Sequence, residues 1–409
     1  MNYNIIKLIY HGLHLELKRR KSKHHKENIL KMVEKLFRSI FSGKIYLPGL
    51  NKKEHFFYIG TKNQYQALFN IRKKVYASSF TYYHGYDVEI QDKVSKKFPF
   101  WISYFLGIIA YLLFGKAGIK ISRKLTPRNP HLNYYYLGSL LIGQYFLCLL
   151  LLKIHRPQYV WLSNDHTPIN VAFIYASKRL KIKSIYIQHA SVTDLFPPLN
   201  FSYAFLDGKM AYHTYSKIGI MGTKVFLCGI AKMDGFINRF PHNLNVFNIL
   251  VCLNQLDDIS QFEILIDNLL SMGFKVKLRK HPYLLKKLKN EDRLELSKEN
   301  VFMDSLADVD LLIAGDSNVH LEATLSNIPC FYLATSGHFD YYGFLKNELV
   351  VWGGRDMEEC LKQIKNYTPK KEVYLRANPY CASVGTEFQN RSTTYILIKL
   401  GINGLEMDD

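Results

Sequence analysis

Apolar and polar positions change rhythm near Pro157. Beyond it, short apolar runs alternate with longer stretches of helical spacing. Tyr159 to Leu162 reads as a strand, Ser163 to Pro168 as a capped turn and Ile169 to Leu180 as a helix. Ser184 to Ile187, Tyr203 to Leu206 and Lys224 to Cys228 continue the series, and strands separated by helices argue a parallel sheet. Gly235 to Asn245, with Pro241 and few strongly apolar residues, is the linker candidate. A second series begins at Val246. Phe247 to Leu253 reads as a buried strand, and Asn254 to Asp258 as a turn capping a helix that runs to Met272 and stops at Gly273. Phe274 to Leu278, Val301-Phe302, Leu311 to Ala314 and Cys330 to Leu333 read as the strands that follow. The expected fold class is α/β, with two Rossmann-like domains, residues 1–240 and 246–400, facing a cleft.

The region before Pro157 reads differently, as an extra basic and apolar helical segment. Two uncharged runs, Phe98 to Phe114 and Asn133 to Leu152, frame a segment holding Lys116, Lys120, Arg123, Lys124 and Arg128. A spanning helix needs about 20 predominantly apolar residues. The first run is short and the second carries Asn133, Ser139 and Gln144, so buried or membrane-apposed helices come first and a transmembrane hairpin second. Between Lys18 and Arg38, lysines and arginines are interspersed with Ile29, Leu30, Met32, Val33, Leu36 and Phe37. That pattern suits an anionic membrane or an acidic glycan, or equally the solvated face of an ordinary helix. No signal peptide fits the early residues, which His11, His14 and the basic run interrupt.

Composition narrows the partners. With 409 residues, 48% hydrophobic and 14% aromatic, the chain is globular with sizeable cores. Its net charge of +20 calls for nucleic acid, lipid headgroups or a phosphorylated or acidic substrate. A nucleic-acid reading module is absent and the basic residues lie among apolar helices, which sets that partner aside. The six cysteines are scattered without CxxC spacing and read as reduced core residues.

Two anion candidates stand at strand ends. In Gly315-Asp316-Ser317-Asn318 a polar turn opens a short helix after an apolar strand, leaving the first helix amides aimed outward, and Ser317 and Asn318 can cap it. Asp316 suits the orientation of neighbours or a hydroxyl rather than a phosphate. Glu322 can accept paired ribose hydroxyls, or serve only as a first-turn acid. Upstream, Lys277, Arg279, Lys280 and His281 end at Pro282, which turns the chain out of the sheet. His189, after one strand of the first series, and Asp194, in the next loop, are candidate general bases, and Asp165 with His166 is a second acid and base pair. Asp234 reads as structural, and Asp308-Val309-Asp310 as surface rather than a metal motif.

At these residues the chain resembles GT-B glycosyltransferases of bacterial surface polysaccharide assembly, the superfamily of teichoic acid glycerophosphate polymerases, capsule Kdo transferases and bacterial polysialyltransferases. Tyr186-Ile-Gln-His-Ala190, Arg279-Lys-His-Pro282, and Gly315-Asp-Ser-Asn-Val-His-Leu-Glu-Ala323 with Ile328-Pro329 carry the resemblance, which spans about Pro157 to Leu333. It implies an acceptor-side first domain and a nucleotide donor in the second. His281 would contact the donor phosphate with Arg279, Lys280 and Pro282 around it, Gly315, Asp316, Ser317 and Asn318 would lie at the helix end beneath it, and Glu322 would sit near the ribose. His189 would face the acceptor. The resemblance also implies no metal and no further cofactor. Its partners would be a nucleotide-sugar donor, CMP- or CDP-linked, and a glycan or glycolipid acceptor at the inner face of the plasma membrane. A polyol-phosphate transferase of the same fold, or a membrane-embedded export or scaffold component, is the alternative.

Overall fold

The structure is a computed structural model that describes residues 52–84, 88–125, 140–240, 246–255, 257–281, 284, 286–289, 291–297, 301–335, 339–368 and 370–402. The basic segment from Lys18 to Arg38, residues 133–139 of the second apolar run, and Pro282 lie outside them. Two compact units emerge, one of Met1–Leu206 with Tyr212–Phe226, the other of Asp207–Ala211 with Leu227–Asp409.

The first unit is built on a seven-stranded sheet: β1 (His55–Ile59), β2 (Ser79–Tyr83), β3 (Ser95–Lys97), β4 (Tyr159–Leu162), β5 (Lys183–Ile187), β6 (Tyr203–Leu206) and β7 (Lys224–Leu227). The spatial order is β3-β2-β1-β4-β5-β6-β7, with β1 parallel to both β2 and β4. Three strands thus come from the region expected to be helical and additional. The His-Phe-Phe-Tyr-Ile and Ser-Phe-Thr-Tyr-Tyr segments are buried at every residue. Strands covered on both faces show no alternation, and here the apolar matter is aromatic rather than aliphatic. Phe57 stacks on Trp161, while Phe56 and Tyr58 pack at ring-centroid distances of 5.3 and 5.2 Å from Phe173.

The two apolar runs form helices Phe100–Leu125 and Leu140–His155, which pack on each other. Their contact is close because Gly143 lies on Gly107: a Cβ on Gly143 would meet the Ser103 carbonyl oxygen at 2.0 Å and the Gly107 nitrogen at 2.6 Å. Ser103, Gly107 and Ala110, spaced for one helix face, form the buried side. Among the described residues no helix is long and apolar enough to cross a membrane.

The second unit carries a six-stranded sheet of β8 (Asn248–Leu253), β9 (Lys275–Lys280), β10 (Glu295–Leu296), β11 (Leu311–Ala314), β12 (Cys330–Leu333) and β13 (Val351–Gly354). Every pairing in the order β10-β9-β8-β11-β12-β13 is parallel. Alternation along β8 sends Leu250 and Cys252 into one core, with Leu312, Ala314, Leu321 and Tyr332. Ile249, Val251 and Leu253 enter another, against Phe262, Leu265, Ile266 and Leu269 of the helix Ile259–Ser271. Each such side chain contributes about 2 kcal/mol by burial. Val301-Phe302, expected as a strand, instead enters a 3-10 helix over Phe302–Leu306; β10 at Glu295–Leu296 takes the edge of the sheet. Both sheets are therefore Rossmann-like, as the strand and helix rhythm predicts, and all six cysteines are buried and unbridged.

Substituting Gly143 by alanine tests the helix contact. The added methyl must push the two helices apart, costing about 1–3 kcal/mol. A lowered thermal unfolding midpoint is expected, and an unchanged one would mean that the helices do not meet at these glycines.

Candidate functional site

In an open parallel sheet, ligands bind beyond the carboxyl ends of the strands where the order reverses, because loops there diverge and leave a crevice. In the second unit that point lies between β8 and β11. From β8 the chain continues into Asn254, whose side-chain amide donates to the Asp316 carbonyl at 3.2 Å, and whose backbone N–H donates to Asp257 Oδ2 at 2.8 Å. From β11 it continues into Gly315, and a Cβ there would lie 2.1 Å from Asp257 Oδ1. Glycine is thus dictated by a carboxylate pressed against the turn. The buried His320 ring lies against the same turn, Nε2 donating to the Gly315 carbonyl at 2.9 Å, and burial lowers this histidine to about 4, which keeps it neutral.

Asp316 is bonded to its neighbours. Its oxygens accept the Tyr341 amide at 3.0 Å and the Tyr332 hydroxyl at 2.9 Å, and Tyr332 in turn accepts the Asp340 amide. The expected cap is different. The helix Val319–Leu325 has only seven residues, and Asn318 makes no side-chain bond to its amides. The Val319 amide is 3.5 Å from Ser317 Oγ, while the His320 and Leu321 amides bond the Ser317 and Asn318 carbonyls. A tight first turn has consumed donors that the sequence leaves open.

His281 begins the loop after β9, the neighbour of β8, and its amide bonds the Leu253 carbonyl at 2.8 Å. Its ring is exposed, and partial desolvation lowers its pKa below the ordinary histidine value. The ends of β9, β8 and β11 thus bring His281, Asn254 and Gly315 to one edge. Arg279 and Lys280 lie inside β9, where alternation sends them to opposite faces. Arg279 Nη1 donates to Ser297 Oγ at 2.7 Å with its guanidinium over Phe302, whereas Lys280 Nζ sits 2.9 and 2.8 Å from the two oxygens of Glu291. Glu322 is nearly buried and pairs with Lys232, beside Asp207, whose carboxyl burial pushes well above the usual range. Asn254, Asp257, Lys232 and Asp207 carry no sequence signal beyond turn chemistry; an Asn-x-x-Asp turn after the first strand of a Rossmann-like series is the one clue.

The first unit has its own reversal, between β1 and β4. After β1, Thr61 caps the helix Lys62–Lys74 and Gln64 Oε1 accepts the Gly60 amide at 2.8 Å. After β4, Asn164 Oδ1 accepts the His166 and Thr167 amides at 3.0 and 2.9 Å. That fixes which end of the Asn164 side chain is the NH2, and it lies 3.3 Å from His166 Nε2. The ring therefore accepts at Nε2 and carries its proton on Nδ1, which donates to Asp165 Oδ1 at 2.8 Å. The other oxygen of Asp165 accepts the Tyr215 hydroxyl at 2.7 Å. A histidine oriented by a buried carboxylate is the arrangement of a general base. His189 follows β5, next to β4, and is half-buried; Asp194 is exposed in the loop beyond.

Two other acids are structural. Asp234 accepts the Ser392 and Thr393 amides, each at 2.8 Å, and so caps the helix Ser392–Lys399, as expected. Asp310, read as surface, is buried and accepts the Phe247 and Asn248 amides at 2.9 and 2.8 Å. Among the described residues no group of three or more His, Cys, Asp or Glu is placed to hold a metal ion.

Burial, with the Asp316 charge adding to it, raises the Asp257 carboxyl to about 6 against the Asn254 bond that opposes it. A carboxyl that ionises less readily when folded than unfolded makes stability fall as pH rises from about 4 to about 6. Asp257→Asn removes that loss. The stability of the variant relative to the parent should rise by about 2–3 kcal/mol between pH 4 and pH 7. Urea unfolding at the two values checks this, and a constant difference would contradict it.

No family model matches the sequence, and no curated protein sequence matches it either. Solved structures do resemble it. The UDP-GlcNAc 2-epimerase from Methanocaldococcus jannaschii has 14% identity and a TM-score of 0.53, covering 85% of this chain and 99% of that one. The Neisseria meningitidis UDP-GlcNAc 2-epimerase bound to UDP-GlcNAc has 13% identity and a TM-score of 0.52, covering 85% and 100%. That from Rickettsia bellii has 13% identity and a TM-score of 0.51, covering 86% and 96%. At such identities the likeness is one of fold, and it agrees with the two all-but-separate strand series read from the sequence: the chain has two Rossmann-like α/β units of the GT-B type.

Proposed function

We propose that the protein is a metal-independent glycosyltransferase that moves a sugar from a nucleotide-activated donor, CMP- or CDP-linked, to a bacterial surface glycan or glycolipid at the cytoplasmic face of an anionic membrane. The observation that carries this reading is the convergence of His281, Asn254 with Asp257, and Gly315 to Asn318 beyond three adjacent strands at the reversal of the second sheet. The bound UDP-GlcNAc of the Neisseria protein, a nucleotide-linked sugar held by a protein of similar fold, supports the donor class.

In this reading the second unit holds the donor. His281, with the Ser317 hydroxyl and the Asn318 amide, meets the phosphate, and Arg279 adds positive potential around it, Lys280 being paired with Glu291. Gly315 and Asp316 shape the turn, and Glu322, steadied by Lys232, meets the ribose. The candidate bases all lie on the first unit. His166, its Nδ1 proton held by Asp165, accepts the acceptor's hydroxyl proton at Nε2 once that hydroxyl has displaced the Asn164 amide from the same nitrogen. The acceptor oxygen bonds to the anomeric carbon as the bond from that carbon to the phosphate oxygen breaks, and the nucleotide leaves with the electron pair. His189 and Asp194 are the other candidates for the base. For a polyol-phosphate donor the same groups would serve attack at phosphorus.

A second reading, sugar-nucleotide epimerisation, is favoured by the similarity to 2-epimerases. Solvent-deuterium incorporation into a sugar nucleotide without any acceptor would select it over transfer.

CMP or CDP should raise the unfolding midpoint more than UDP or GDP, because a ligand that binds only the folded state stabilises it. His281→Ala should weaken the preferred nucleotide about tenfold to a hundredfold, the worth of a hydrogen bond to a charged group. A folded variant with unchanged affinity would sink the phosphate assignment. Because partial desolvation holds His281 below the ordinary value and a phosphate favours its charged form, affinity should increase as pH falls through and below the ordinary histidine range. Turnover should fall about a hundredfold or more in His166→Ala and Asp165→Asn. If only His189→Ala or Asp194→Ala showed that loss, the base would be the residue replaced.

A further inference from the structure

The helix Phe100–Leu125 buries Ser103, Gly107 and Ala110 against its neighbour and turns an uncovered stripe the other way. Phe105, Ile109, Leu112 and Leu113 are exposed, the two leucines at 76% and 70%. At about 100° per residue these four positions fall within roughly one third of the circumference. Continuing along the same stripe, the exposed residues are Lys116, Lys120 and Arg123. The neighbouring helix Leu140–His155 repeats the order at i, i+4 and i+7, with exposed Phe146, Leu150 and Lys153. Single exposed apolar residues are ordinary, but a contiguous line of four, two of them mostly uncovered, costs solubility and marks an interaction surface.

We infer that this stripe seats the first unit on the surface of an anionic lipid bilayer, the apolar turns Phe105 to Leu113 entering the boundary between headgroups and acyl chains and Lys116, Lys120 and Arg123 contacting headgroup phosphates. The order along the axis, apolar and then basic on one line, selects this partner. A protein groove for an amphipathic helix would be matched by apolar residues along its length, whereas a bilayer is apolar inside and negative at its rim. The net charge of +20 favours the same surface. Among the described residues neither helix is long and apolar enough to cross, and the contact inferred is one of seating. The inference deepens the membrane-surface part of the proposed function, naming the residues that make the contact.

Flotation of the full-length protein with phosphatidylglycerol-containing vesicles, against pure phosphatidylcholine vesicles, tests it. Wild type should float with the anionic vesicles. Lys116→Gln with Lys120→Gln and Arg123→Gln should weaken that binding about a hundredfold, each cation near such a surface being worth about fivefold. Leu112→Ser with Leu113→Ser should weaken it about tenfold or more at any salt concentration, since the apolar part is not screened. Both variants should keep the wild-type unfolding midpoint, because the substituted residues are exposed. Undiminished flotation of both variants would overturn the inference, as would flotation lost only through unfolding. So would a wild-type dimer in sedimentation that the leucine variant converts to monomer while flotation persists, since a second copy would then cover the stripe. A nucleotide panel without any shift, combined with stripe-dependent flotation, would instead remove the proposed donor and leave the docking surface standing.

Discussion

Parallel strands cannot be joined by tight turns, so each connection must cross the sheet and return, and this constraint governs both units. With connections of one hand, the order can reverse at only one place, and there the loops leave in opposite directions. In the second unit the reversal lies between β8 and β11, in the first between β1 and β4. The residues with chemistry to offer stand beyond those pairs: Asn254, Asp257 and Gly315 to Asn318 in one, Asn164, Asp165 and His166 in the other.

The carboxylates of the two units show how structural and chemical roles divide. Asp165 is satisfied by a histidine and a tyrosine, Asp316 by an amide and a hydroxyl, and Asp234 and Asp310 each by two backbone amides. A carboxylate bonded at both oxygens, or to two donors, fixes whatever bonds to it. Asp257 is the exception. Only its Oδ2 has a hydrogen-bond partner, and its Oδ1 lies against Gly315. The turn at the reversal is thus held by a group whose ionisation works against folding, a feature expected where binding rather than stability has shaped a loop.

Strands set between clear turn and helix signals were legible because burial on both faces leaves continuous apolar runs: Tyr159–Leu162, Leu311–Ala314 and Cys330–Leu333 stand where the pattern puts them. The strands from His55 to Lys97 were not: β2 mixes its aromatics with serine and threonine that the sheet buries, and β3, Ser-Lys-Lys at the sheet edge, has no apolar residue at all. At the candidate site, the Gly315 to Asn318 turn and His281 were visible as breaks between strand and helix patterns. What Arg279 and Lys280 touch was not, because strand alternation separates neighbours that look like one basic cluster. The apolar runs were readable as helices, but which face each would bury depended on Gly107 meeting Gly143.

By itself, the sequence determined the alternation of strand and helix, the two series, the reduced cysteines and the turn types, because these depend on local sterics and on the periods of helix and strand. Only the tertiary structure decided strand order, and with it the edge that gathers His281, Asn254 and Gly315 from positions far apart in the chain. It alone decided that His166 holds its proton on Nδ1 against a carboxylate that Tyr215 anchors, that the first amides of the short helix turn inward, and that one helix stripe stays uncovered. Those outcomes follow from long-range packing and from which donor meets which acceptor, and no local pattern encodes them.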